Sequence, residues 1–145
     1  MRANDLKSIL ILSIVLYLSG ASLYLLDHFI RVQTEIGEQH HPIESWVRLA
    51  HGTITYVAVL AMGYLLKSHV LPGLRSPTKR GKKSGVTLLV WFGVMVFSAL
   101  GVLYAQEGSW RSFITQAHGI VGLSIPIWAL IHLRFKSKGV RSRSA

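Results

Sequence analysis

The chain has 145 residues, half of them hydrophobic and only 15% charged, with no cysteine. Its mean hydropathy is positive, +0.41, which excludes an ordinary soluble domain of this length and indicates a membrane protein. The lack of cysteine excludes disulfides, iron–sulfur clusters and every thiolate-ligated centre, so any metal chemistry falls to histidine, methionine or carboxylate. Sixteen basic residues against six acidic ones give a formal charge of +10, and the placement of those charges decides what they mean.

A hydrocarbon core about 30 Å thick needs about 20 helical residues to cross. Four windows satisfy that length, 8–26, 47–68, 86–105 and 113–133, and predict an all-α, four-helix membrane bundle occupying the whole chain. The opening "MRANDLKSILILSIVLYLSGASLYLL" has the charge, apolar run and small residues of a signal peptide. Its apolar stretch is longer than a signal core, and "LSGAS" is followed at once by "LYLL", so it reads as a retained first span.

Between the spans, the cations fall on alternate loops. Arg2 and Lys7 precede span one, Lys67, Arg75, Lys79, Arg80, Lys82 and Lys83 join spans two and three, and Arg134, Lys136, Lys138, Arg141 and Arg143 follow span four. The other two loops hold only Arg31, Arg48 and Arg111, with Asp27, Glu35, Glu38, Glu44 and Glu107. By the positive-inside rule this predicts both termini on the cytoplasmic side of a bacterial inner membrane. The cations then report topology and attraction to anionic lipid, and nucleic acid is not an expected partner.

The chain also carries a weak internal repeat. Span one has "YLSGASLYLL" and span three "VFSALGVLYA"; spans two and four open with "RLAHG" at 48–52 and "TQAHG" at 115–119. Each of the latter ends with a second histidine, His69 in "LLKSHV" and His132 in "ALIHLRF". Two tandem helical hairpins follow, with spans two and four parallel. His51 and His69 are eighteen residues apart, five turns at 3.6 residues per turn, so a straight helix sets them on one face roughly 27 Å apart. His118 and His132 are fourteen apart, within about 40° of one another on a straight helix.

Ionisable side chains within spans are expensive and by default face a bundle interior. Neutral imidazole is a good ligand for iron, and haem can take one axial ligand from each of two facing helices, so two haems would satisfy four histidines. A flat macrocycle needs room, for which Gly20, Gly52, Gly63, Gly93, Gly101, Gly119 and Gly122 are candidates beside their ordinary role in close helix packing.

On Gly20 among small residues in span one, Trp46 before Ala50-His51-Gly52, His69 at the inner end and the echo of all this in the second half, the chain resembles the small bacterial di-haem membrane cytochromes b. The resemblance covers roughly residues 10–135. It implies two non-covalent haem b groups, ligated by His51 with His118 and by His69 with His132. It also implies electron transfer between the quinone pool and a respiratory partner, an extracytoplasmic cytochrome c or another oxidoreductase subunit. One departure is the spacing: cytochromes of this type commonly separate the two ligands of a helix as His118 and His132 are, whereas His51 and His69 lie four residues further apart, roughly 6 Å. Helix tilt, a kink at Pro126, or a different ligand such as His28 are the ways to absorb it.

The competing readings are structural. His69 precedes Pro72-Gly73, which should end its helix, so it and His132 fit a C-terminal dipole role, and His51 and His118 fit interhelical hydrogen bonding. His40 and His41 read as solvated loop residues or partner contacts. Arg48, one turn before His51, Arg111, Lys67, Arg134 and Lys136 fit haem propionates or snorkelling at the interface. Trp46, Trp110 and Tyr104 read as an aromatic belt, while Trp128 packs on a cofactor or faces lipid. Glu38, His41, Glu44 and Arg48 are weak candidates for quinone chemistry. A histidine-based metal-ion or proton transporter and a haem-free scaffold subunit are the alternative functions; carboxylates are absent from the middle of every span, which disfavours transport.

Overall fold

The computed structural model describes residues 3–35, 37–77 and 82–141, with side-chain placement ending at Arg134. Arg2, Lys79, Arg80 and Arg143 lie outside the described residues, as do the side chains of Lys136, Lys138 and Arg141. The elements in chain order are α1 (Ala3–Phe29), β1 (Arg31–Thr34), β2 (Gly37–His40), α2 (Ile43–Leu65), a π-helical turn (Leu66–Val70), α3 (Leu71–Arg75), α4 (Lys82–Tyr104) and α5 (Ser109–Arg141). Four helical segments, Lys7–Phe29, Ile43–Arg75, Lys82–Tyr104 and Ser109–Arg134, are long and apolar enough to cross a membrane. They coincide with the four sequence windows; each segment begins before its window, and all but Lys82–Tyr104 also run past the window's end.

The chain divides into two compact units, Met1–His69 and Val70–Ala145. In the first, α1 packs against α2; in the second, α4 packs against α5. Among the described residues only Ala58 and Glu44 are buried, while large apolar side chains such as Leu60 and Phe97 are each 76% exposed. A helix apolar on all sides is stable only where its surroundings are apolar too.

Hydroxyls on these helices are satisfied locally, as such surroundings require. Ser13, Ser22, Thr53, Thr87 and Thr115 each donate to the carbonyl four residues back.

Three features bear on the expected fold. First, the loop between spans one and two contains a hairpin: β1 and β2 pair antiparallel, Arg31 opposite His40 and Thr34 opposite Gly37. Gly37 takes φ 110°, a backbone conformation that excludes ordinary L-residues. The chain is thus all-helical apart from this small hairpin. Second, Pro72 does not stop the second span. It sits in the first turn of α3, where its missing N–H costs nothing, and the helix passes into α3 through the π turn. Third, Pro126 lies inside a continuous α5. Gly122, whose carbonyl loses its usual partner to that proline, comes close to α4, where an added Cβ would stand 3.1 Å from Met95 Cε.

Candidate functional site

In the first unit the ring of His51, on α2, meets Ser19 on α1, with Nδ1 2.8 Å from the serine Oγ. Ser19 Oγ also lies 2.9 Å from the carbonyl of Leu16. A hydroxyl has one proton; with that proton on the carbonyl, the serine accepts from the imidazole. This arrangement assigns the ring proton of His51 to Nδ1 and the lone pair to Nε2.

The second unit repeats the arrangement. His118 Nδ1 on α5 is 2.8 Å from Ser98 Oγ on α4, and Ser98 donates to the carbonyl of Met95 at 3.1 Å. His132, at the other end of α5, has a third serine seat, Ser84 Oγ 3.0 Å from its Nδ1. All three histidines are half-buried. The serines stand in the stretches "LSGA", "FSAL" and "KSGV"; the first two read from sequence only as small residues before a Leu-Tyr pair, and the third carries no signal in the repeat.

Two glycines complete these seats. A Cβ on Gly20 would meet His51 Cε1 at 3.0 Å, and one on Gly85 would meet His132 Cε1 at 3.5 Å. Gly20 therefore makes room for the imidazole itself. Gly101 has a different neighbour: its Cβ would press on Ile114 Cγ2 at 3.0 Å, so it serves close contact between α4 and α5. Among the described residues, nothing lies within 4 Å of a Cβ placed on Gly52, Gly63 or Gly93.

His69 is held differently from the other three. It is exposed and falls inside the π turn, where the extra residue shifts the helix azimuth away from the straight-helix alignment with His51. Arg48 forms an ion pair with Glu44 one turn back, and Arg111 lies 3.3 Å from Glu107. Trp128 meets Trp91 at 6.0 Å between ring centroids within the second unit.

The loop histidines are also engaged. His41 Nδ1 accepts the backbone N–H of Ile43 at 3.2 Å and so caps the start of α2. His28 stacks on Tyr24 at 4.2 Å, and its Nδ1 is 3.0 Å from the Tyr24 carbonyl. His40, expected as a solvated loop residue or partner contact, is exposed and also joins a cluster: its Nδ1 donates to Glu44 Oε2 at 2.7 Å and lies 3.5 Å from Asp27 Oδ1. Glu44 is the one buried charged side chain among the described residues.

Neutral imidazoles with the proton on Nδ1 and that proton bound to an oxygen are the form in which histidine presents Nε2 to a metal. The donor sets at His51 and His118 therefore fit axial ligation of a haem iron, and the Nδ1 contact of His132 is of the same kind. Comparison with known proteins finds no matching family model, no matching curated protein and no matching solved structure.

Proposed function

We propose that this chain is a di-haem b-type cytochrome in a bacterial inner membrane, passing electrons between the quinone pool and a partner redox protein as a subunit of a respiratory complex. Its four spans would form one bundle with both termini cytoplasmic. The supporting observation is the recurrence of one device: a serine on the first helix of each hairpin holds Nδ1 of a histidine on the second, at 2.8 Å in both. Helix packing alone does not call for the same tautomer in both hairpins. Ligation of one metal-bound macrocycle from both sides does.

His51 and His118 would hold one haem, and His69 and His132 the other. Bound haem supplies one-electron chemistry at its iron. Ser19 and Ser98 orient the imidazoles and raise their basicity, because a hydrogen bond accepted from Nδ1–H pushes electron density toward Nε2. Gly20 lets His51 lie close against α1. Arg48 and Arg111, each held by a glutamate at four-residue spacing, stand before the two His-Gly segments as cations for acidic groups at the interface.

The terminal partner in this reading is a second protein, and an extracytoplasmic cytochrome c or another oxidoreductase subunit is the expected class. The His118→Ala variant tests the assignment. A cytochrome loses one of two haem signals; retention of both contradicts the ligand set. Loss of metal-ion or proton flux without a haem signal would identify a transporter, and loss of stability alone a scaffold.

A further inference from the structure

We propose a second metal site in the first unit, distinct from the span histidines: Asp27, His40 and Glu44 form a binding site for a zinc-class divalent ion. The inference rests on the first unit alone and stands whether or not the chain carries haem. Three elements converge there. Asp27 is in the last turn of α1, His40 is the last residue of β2 and Glu44 is in the first turn of α2. One ligand atom from each lies within 4.8 Å of the others.

The β-hairpin is what brings them together. Its register sets His40 opposite Arg31 and so returns the chain to the end of α1. One imidazole nitrogen and two carboxylate oxygens form a set that favours zinc over magnesium or calcium, whose sites are built from oxygen.

The surroundings divide the work of each side chain. Glu44 offers Oε2 to the centre, while its Oε1 is held by Arg48. Asp27 offers Oδ1, while its Oδ2 is 3.5 Å from His28 Nδ1. Bound metal ligands are oriented by outer partners of this kind. The Glu44 side chain is 4% exposed and forms the closed side of the site, whereas His40 is 53% exposed and leaves a coordination position open to water.

Without metal, Glu44 and Arg31 both engage the His40 ring. Its Nδ1 proton goes to Glu44 Oε2, and Arg31 Nη1 lies 3.1 Å from Nδ1 and 3.0 Å from Nε2. Taking a cation on Nδ1 moves the ring proton to Nε2, which can then no longer accept from Arg31. Arg31 is thus a competitor for the site, anchored through Nη2 on the Asp27 carbonyl at 2.6 Å.

The test is Zn2+ titration of the full chain in detergent, with Co2+ absorption as a second probe of coordination. Asp27→Asn and His40→Gln remove one ligand each from the solvent side and leave buried Glu44 in place; circular dichroism verifies their helices. Loss of an outer partner alone costs about 10–100-fold in metal affinity, so either variant should weaken one equivalent of Zn2+ at least about tenfold. Arg31→Gln should tighten the same equivalent, and an unchanged affinity there overturns the competition. No saturable equivalent in the unaltered chain, or one that survives both ligand variants unchanged, overturns the site and leaves an ion-pair network only.

Discussion

Ser98 accepts the Nδ1 proton of His118 across 2.8 Å while sending its own proton to the Met95 carbonyl at 3.1 Å. Removing the hydroxyl leaves Nδ1–H without that acceptor inside an apolar helix pair. Ser98→Ala should cost about 1 kcal/mol of stability and raise the midpoint potential of one haem, because a less basic imidazole stabilises ferric iron less, read by redox titration. Ser19→Ala should act alike through His51. A potential unmoved in both variants would contradict the orienting role of the serines.

Gly20 predicts an asymmetry among glycine substitutions. In Gly20→Ala the new methyl would stand 3.0 Å from His51 Cε1, so the ring must shift. Overpacking of this kind costs about 1–3 kcal/mol. Among the described residues, Gly63 has no atom within 4 Å of such a Cβ, and alanine there should gain up to about 1 kcal/mol from helix propensity. Thermal unfolding of the two variants in detergent checks the difference in sign.

A contrast of two glutamates isolates burial. Glu44 has a side chain 4% exposed and bonded to His40 and Arg48, whereas that of Glu107 is 93% exposed beside Arg111. Glu44→Ala should destabilise the first unit by roughly 1–3 kcal/mol, because it strips partners from β2 and α2 together. Glu107→Ala should leave unfolding unchanged within error. Equal effects would show that the buried cluster has no structural weight.

Why some of this was legible in the sequence and some was not follows from the range of the interactions. The four spans are written in composition, and the positions of His51 and His118 in the repeated Ala-His-Gly. Their serine partners lie 32 and 20 residues away, a relation set by how two helices pack. Local pattern reports such serines only as small residues. The π turn and the continuation of the helix past Pro72 have no signature in the local residue pattern. The hairpin at Arg31–His40 was hidden for another reason: "RVQTEIGEQH" lacks alternating apolar residues and an Asn-Gly turn. Its polar strands are exposed on almost every residue. The same hairpin carries His40 to Glu44, so the Asp27 cluster stayed hidden with it.

His69 and His132 should behave unequally. His132 has Ser84 at its Nδ1, and His69 sits exposed in a π turn. The haem proposed for this pair should be the more easily lost of the two and the one that admits an external ligand such as carbon monoxide on the His69 side. Carbon monoxide difference spectra of the reduced protein check this; equal reactivity of both haems would contradict it.

The measurement that bears most directly on the central claim is a dithionite-reduced minus oxidised spectrum of the purified chain, made under haem-replete expression, with pyridine haemochrome quantitation. The account predicts two non-covalent b haems per chain. A chain that takes up no haem under those conditions contradicts it.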